Sequence, residues 1–334
     1  MGDVVLTVPV IQNFCRKYPE IQITILTRPF FHPFFEGVPN LNLFPVDLKD
    51  KHKGFLGLYQ LVQELTEKQK FDCVIDLHDV LRSRFINTLF RLKGIPIYRI
   101  EKGRQEKKAF INGNQKKELP HTTQRYQEVF FRAGFSFPFE KVLLERSKVP
   151  KKLTKAISKN SKINIGIAPF AAHKSKEWGL EKTHELIQKI NKINQVQFYL
   201  FGGGDDEVEK LSILANSYAN VTNLAGQFTL KKEVQLLRDL SVFIGMDSGN
   251  SHIAALVGIP VISIWGGTHP GLGFKPLYQP KKNCIQLPEK EYTKCKLTVY
   301  GTSKPQLKQS PYFCIKKIPA ESIIDRLIEI KILV

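Results

Sequence analysis

Residues 241–271, SVFIGMDSGNSHIAALVGIPVISIWGGTHPG, decide how the rest of the chain is read. VFIG is a short apolar run of strand type, HIAALVG has the small and apolar residues of a buried helix, and IPVISIWG is a second strand. Asp247, Ser248, Gly249, Asn250, Ser251 and His252 therefore occupy the turn where the first strand hands over to the helix. Backbone N–H groups in the first turn of a helix have no partner within it, and the helix dipole places positive charge there. Gly249 would let a ligand approach the backbone, and Ser248 and Ser251 carry hydroxyls, so the turn is built to receive a phosphate or diphosphate. The competing reading is that Asp247 or Ser248 caps the helix and His252 is a satisfied core histidine.

Outward from this turn, the chain alternates strands and helices. INIGIAP, QVQFYLFG and NVTNLAG precede VFIGMD and PVISIWG as strands, with helices expected near 180–194, 206–218, 231–240 and 251–258. In the first half, IQITILT (21–27), DCVIDL (72–77) and PIYRI (96–100) read as strands and 57–70 as a helix. Such alternation implies parallel sheets and an α/β fold. At 334 residues the chain is long enough for two domains. The basic, weakly patterned stretch 150–162 is the natural linker, giving an N-terminal domain over 1–155 and a C-terminal domain over 156–318. An amphipathic helix over 319–334 follows.

Composition narrows the function. Hydrophobic residues make up 42% and charged residues 24%, as in a globular protein, and no apolar run is long enough to span a bilayer. The start, MGDVVLTVPVI, lacks the basic segment and cleavage site of a secretory signal, so a cytoplasmic location is expected. Five cysteines without C-x-x-C spacing argue against zinc and redox motifs and are expected as reduced thiols. Asp72, Asp76, His78 and Asp79 could suggest a metal, but Asp72 and Asp76 bracket a strand at ordinary i, i+4 spacing, so no metal site is expected. Fifty Lys and Arg against 31 Asp and Glu give a net charge of +19, which calls for an anionic partner. The basic residues are scattered and no nucleic-acid module accompanies them, so an anionic membrane face is expected rather than nucleic acid. The Phe-rich stretches 30–35 and 135–140 read as packing, with an acceptor pocket as the alternative for the first.

D-S-G-x-x-H followed by W-G-G-T-H-P resembles the donor-site signature of the family 9 glycosyltransferases, the ADP-heptose:lipopolysaccharide heptosyltransferases. MGDVVLTVPVI, DCVIDLHDVLRS (72–83), IGIAPFAAHKSKEW (165–178), FGGGDDE (201–207) and NLAGQFTL (223–230) are similar to that family's landmarks, in its order. The resemblance implies a GT-B architecture of two Rossmann-like domains facing across a cleft, with the final helix crossing back onto the first domain. It further implies inverting, metal-independent transfer of heptose from ADP-heptose to the lipopolysaccharide inner core. No cofactor is implied, and the work would be peripheral, at the inner face of the inner membrane.

By the same resemblance, Asp3 of M-G-D is the general base and Lys176 the lysine on the donor diphosphate, with Lys174 as its fallback. Asp247, Ser248, Gly249, Ser251 and His252 would bind the donor, and Asp205, Asp206 and Glu207 its ribose. Arg82, Arg84 and Arg125 are the candidate grips on a phosphorylated Kdo-lipid A type acceptor. Two departures from the family pattern stand out. Phe170, Ala171 and Ala172 occupy a loop that is commonly polar, and M-G-D opens the numbered chain where the family has an apolar strand before it. The expectation is that the numbered chain is shorter than its gene product. The alternatives are a family 9 relative with another sugar donor or acceptor, and a catalytically silent basic protein that binds anionic glycolipid or nucleic acid.

Overall fold

The computed structural model describes residues 1–115, 117–145, 156–157, 163–292, 295, 297–303 and 314–334. The chain divides into two compact units: unit 1 holds Met1, Asp3–Gly103 and Pro120–Val142, and unit 2 holds Gly2, Arg104–Leu119 and Leu143–Val334.

Unit 1 opens with α1 (Gly2–Lys17), whose Val5, Leu6, Val8, Val10, Ile11, Phe14 and Cys15 are all buried. A helix apolar on nearly every side can only be a core helix. Asn13 ties it down, donating to the carbonyls of Pro9 at 2.8 Å and Glu140 at 3.0 Å. Two parallel strand pairs follow: β1 (Ile23–Thr27) with β2 (Leu41–Pro45), and β3 (Val74–Asp76) with β4 (Ile97–Arg99). Among the described residues no ladder joins the two pairs, and their strands stay largely half-exposed. Helix α2 (Gly54–Lys68) connects the two pairs, α3 (Leu81–Leu92) joins β3 to β4, and both share the core of Leu58, Leu61, Val62, Leu65 and Phe90. The Phe-rich stretches serve packing: Phe31, Phe34 and Phe35 are buried, and Phe135 and Phe137 meet the edge of Phe14 at 5.2 and 5.8 Å.

Unit 2 contains a six-stranded parallel sheet made of β5 (Asn164–Ala168), β6 (Gln197–Leu200), β7 (Val221–Asn223), β8 (Val242–Met246), β9 (Val261–Ile264) and β10 (Cys284–Ile285). The strands lie in the order β7-β6-β5-β8-β9-β10. Every residue of β5, β8 and β9 is buried, which is why they read as unbroken apolar runs. In chain order within the unit this is 3-2-1-4-5-6, so the winding reverses between β5 and β8, and ligands bind at the carboxyl ends of strands flanking such a reversal.

The unit boundaries differ from the expected 1–155 and 156–318. The chain enters unit 2 at Leu143, where Leu144 donates to the Leu256 carbonyl at 2.8 Å and Arg238 donates to the carbonyls of Leu144 and Glu145. Residues 104–119 also belong to unit 2. Helix α4 (Arg104–Ile111) and α5 (Thr122–Arg132) follow each other in sequence, but Phe110 of α4 packs on His269 at 5.1 Å while α5 stays in unit 1. Most of the expected linker 150–162 lies outside the described residues.

Helices α6 (Leu180–Asn191), α7 (Asp205–Asn216), α8 (Leu230–Leu237) and α9 (Gly249–Val257) connect the strands of unit 2. The last helix, α11 (Ala320–Glu329), lies in unit 2 along α6, after the short α10 (Glu289–Tyr292). Ile323 and Leu327 join the core beneath Trp178, whose indole N–H donates to the Ile318 carbonyl at 3.0 Å. An amphipathic stripe declares a buried face without naming what covers it. One further expectation is corrected: the cysteines are not all reduced, because Cys295 and Cys314 form a disulfide across 19 residues, leaving Cys15, Cys73 and Cys284 as thiols. Among the described residues no helix is long and apolar enough to cross a membrane.

Candidate functional site

Three loops meet at the carboxyl ends of β5, β8 and β9. After β5, a single 3-10 turn at Lys174–Lys176 lifts Lys176 out of the chain, and buried Trp178 anchors the entry into α6. After β8, Asp247 and Ser248 lead into α9. The Lys176 ammonium lies 2.7 Å from an Asp247 carboxylate oxygen, with side chains 14% and 7% exposed. The same oxygen, Oδ2, accepts from the Thr268 hydroxyl at 2.8 Å, bringing in the loop after β9. Two loops that flank the reversal of winding are therefore joined by an ion pair at the position where a ligand of this fold sits.

A segment that sequence reasoning passed over completes the support. Ser175 N–H donates to the Thr302 carbonyl at 3.1 Å and Thr302 N–H to the Ser175 hydroxyl at 2.8 Å. Thr298 donates to the Gly267 carbonyl from its N–H at 2.9 Å and its hydroxyl at 3.1 Å. Gly301 adopts φ +90°, and a Cβ there would lie 2.6 Å from Lys176 Cε. In the sequence this segment is LTVYGTS, whose lone glycine was its only signal.

Helix α9 starts without a side-chain cap. Ser248 has the extended backbone of an N-cap residue, yet its hydroxyl makes no capping bond. Its Oγ is buried and has no hydrogen-bond partner among the described residues, which a native site tolerates when a ligand or water completes it. Neither Ser248 nor Asp247 thus supplies the cap that the competing reading required. Ser251 departs from expectation: it is fully buried and its hydroxyl donates to the Met246 carbonyl at 2.7 Å, holding the turn shut from behind. Gly249 and Asp247 lie at the half-exposed lip, and His252 is buried at 5% exposure.

The acidic run separates into different roles. Asp205 is exposed, and Asp206 reaches out to Lys210 at 2.6 Å, where both ornament the first turn of α7. Glu207 turns back, accepting from Gly203 N–H at 2.9 Å, and burial raises its pKa despite that bond. Lys174 is 48% exposed and paired with Glu177 at 2.9 Å, so Lys176 rather than its fallback holds the central place.

Behind the same face, His269 was not singled out by sequence. Its Nδ1 accepts from Gly271 N–H at 2.9 Å, and burial pushes its pKa down to about 4, so the ring is neutral and shapes the turn. Lys107 of α4 is 3% exposed with its ammonium 4.4 Å from the Phe274 ring centroid and 5.7 Å from that of Tyr300.

In unit 1, Asp3 is exposed in the first turn of α1, where a carboxylate complements the helix dipole. Its carbonyl accepts from the buried Tyr126 hydroxyl at 3.2 Å, which fixes the backbone that bears it. Burial lowers the pKa of His78, and the Asp3 charge is the largest influence opposing that shift. His78 sits on a tightly built turn: Asp76 Oδ1 accepts from the N–H groups of His78 and Asp79, both at 2.9 Å, and its Oδ2 from Asn87 at 2.7 Å. Of the three candidate arginines, Arg84 is committed to Asp79 by two bonds at 2.7 and 3.0 Å. Arg125 braces the 101–103 backbone, donating to the Glu101 carbonyl and lying against Gly103. Arg82 is exposed and has no ion-pair partner among the described residues.

Known proteins add to this geometry. The model of glycosyltransferase family 9 (heptosyltransferase) matches residues 58–304. The chain belongs to that family. It is therefore a glycosyltransferase, and family 9 relatives resemble it along most of its length. The lipopolysaccharide core heptosyltransferase OpsX of Haemophilus influenzae is 24% identical over 272 residues, covering 81% of this chain and 77% of the relative. A crystal structure of a glycosyl transferase family 9 protein from Veillonella parvula superposes with a TM-score of 0.73 at 19% identity, over 97% of this chain and 92% of the other. The E. coli heptosyltransferase WaaC with ADP gives 0.67 at 18% identity, over 98% and 96%. These likenesses establish the α/β GT-B fold.

Proposed function

We propose that this family 9 enzyme transfers heptose from ADP-heptose to a phosphorylated Kdo-lipid A type acceptor of the lipopolysaccharide inner core, with inversion and without a metal ion. The observation that carries the reading is the Lys176–Asp247 pair beside an uncapped helix start and an unpartnered buried serine hydroxyl. Those groups suit a diphosphate: a cation held in place, free N–H groups on a helix dipole and one spare hydroxyl. That relatives are lipopolysaccharide heptosyltransferases and one was crystallised with ADP supports the sugar and the nucleotide.

In this mechanism the acceptor hydroxyl attacks the anomeric carbon as Asp3 takes its proton, the bond from that carbon to the diphosphate oxygen breaks, and ADP departs. Lys176 and the α9 N–H groups stabilise the charge gathering on the leaving diphosphate. Asp247 would repel a diphosphate and is assigned to holding Lys176. His252, Ser248 and Gly249 shape the diphosphate turn, Glu207 is assigned to the ribose hydroxyls, and Arg82 to an acceptor phosphate. The enzyme works at the cytoplasmic face of an anionic membrane. Calorimetry with ADP-, UDP- and GDP-sugars tests the donor: selective binding of ADP-heptose is expected, and selectivity for another nucleotide sugar would make this a family 9 enzyme with a different donor.

A further inference from the structure

The starts of α2 and α3 present an apolar surface that the fold leaves uncovered. Leu56 is 82% exposed, Leu81 85%, Phe55 71% and Tyr59 49%. The Phe55 and Phe85 rings meet at 4.9 Å between centroids with their planes tilted by 59°, so the two helix starts lie side by side. Leu81 is one turn before Phe85 and Tyr59 one turn after Phe55, which aligns each pair along one face of its helix. Leu58, Leu61 and Phe90, by contrast, are buried in the core of the unit. The core stripe and the exposed group are thus different faces of the same two helices.

Basic side chains prevail around this surface, although Lys51 is paired with Glu64 at 2.7 Å and Arg84 with Asp79. Residues 51–63 and 81–93 contain Lys51, Lys53, Arg82, Arg84, Arg91 and Lys93 and no Asp or Glu. Acidic residues normally favour the first turn of a helix, yet neither α2 nor α3 has one there. Two helix starts with no carboxylate in the first turn, exposed leucines and phenylalanine, and Lys53, Arg82, Arg91 and Lys93 in no ion pair among the described residues are matched to a layer with anionic headgroups over hydrocarbon. Water-facing leucines gain only by entering an apolar phase, and a bilayer supplies one at the depth a side chain reaches.

We propose that the α2 and α3 starts form a membrane-docking edge, inserting Phe55, Leu56, Tyr59 and Leu81 into an anionic bilayer. The proposal rests on the reading that the acceptor is lipid-linked, and it deepens that reading by naming the surface that brings the enzyme to it. Insertion of the apolar side chains supplies binding that salt does not screen, while each Lys or Arg near the headgroups strengthens it about fivefold and is screened.

The test is sedimentation with vesicles of phosphatidylcholine alone or mixed with phosphatidylglycerol, with neither donor nor acceptor present, so its outcome is independent of which sugar is transferred. The intact chain is expected to bind the mixed vesicles, with salt weakening binding only in part. Leu56→Glu with Leu81→Glu is expected to lose at least tenfold, and both positions are exposed enough that thermal melting should be unchanged. A Leu81→Trp variant should shift its emission to the blue with mixed vesicles, reporting entry into the bilayer directly. Equal sedimentation of the intact and double-Glu proteins, or no emission shift, would overturn the proposal. A self-associated species in sedimentation velocity that the double-Glu variant abolishes, without vesicle binding by the intact chain, would assign the surface to a second copy instead.

Discussion

Replacing Lys176 by Met removes the ammonium 2.7 Å from Asp247 and leaves that carboxylate, 7% exposed, without its counter-charge in the proposed diphosphate site. The variant carries two penalties. Loss of one charge-assisted hydrogen bond to the diphosphate costs roughly tenfold to a hundredfold in affinity. The uncovered carboxylate adds repulsion: a unit charge about 5 Å from a phosphate oxygen costs about 3 kcal/mol at an effective dielectric constant of about 20. Solvent at the lip of the site reduces this, so a further factor of about ten is expected. Asp247→Asn should act in the opposite sense on binding. The Asn oxygen can still accept from Thr268, the competing anion is gone, and Lys176 is released to the ligand, so ADP affinity should hold or rise up to about tenfold. The ligand-free protein should melt lower, because a largely buried lysine has lost its partner, at a cost below the roughly 3 to 5 kcal/mol of a fully buried pair since Lys176 keeps 14% exposure. The decisive protein is Lys176→Met with Asp247→Asn, which by this reasoning binds ADP at least tenfold more tightly than Lys176→Met alone. Isothermal calorimetry on the four proteins reads the cycle. A double variant no better than the single one would refute the electrostatic argument, and wild-type affinity in Lys176→Met would remove Lys176 from the site altogether.

Gly301→Ala should push the Lys176 side chain aside and strain a backbone at φ +90°, lowering ADP affinity while the far-ultraviolet spectrum stays that of the folded chain; unchanged affinity would show that the 297–303 segment does not position Lys176. His269 has its pKa depressed from 6.5 to about 4, so the stability it contributes is complete above pH 6.5 and is lost as pH falls through about 4. His269→Gln should flatten the fall in unfolding free energy from urea titrations across that window, by about 1 to 3 kcal/mol, and an unaltered profile would mean another group governs it. Denatured under non-reducing conditions the protein should show the three thiols of Cys15, Cys73 and Cys284 and after reduction all five, and five from the outset would deny the Cys295–Cys314 bond.

The parts of the fold that could be read from sequence are those where local pattern and tertiary burial agree. β5, β8 and β9 are buried on both faces and so appear as plain apolar runs, and the turn after β8 announces itself by D-S-G before a helix of small residues. Lys176 and Asp247, 71 positions apart, were assigned to one site through the family pattern, and the winding of the sheet brings them to contact distance. The hidden parts depend on contacts without a local signature. β10 has two residues, too few for any periodicity. The union of residues 104–119 with unit 2 rests on Phe110 meeting His269 and on the Leu119 N–H reaching the Gly271 carbonyl, contacts no spacing rule expresses. Arg82, Arg84 and Arg125 look alike in sequence, and only Asp79 and the 101–103 backbone tell them apart.

The central claim is that this chain moves heptose from ADP-heptose by a single displacement in which Asp3 is the base and Lys176 steadies the leaving diphosphate. The most direct measurement is acceptor-dependent release of ADP from ADP-heptose, with mass spectrometry of the glycolipid and NMR of the new anomeric centre. The expected result is an acceptor heavier by one heptose, inverted anomeric configuration, and turnover lowered at least a hundredfold in Asp3→Asn with ADP affinity retained. Retained configuration, or full turnover in Asp3→Asn, would contradict it.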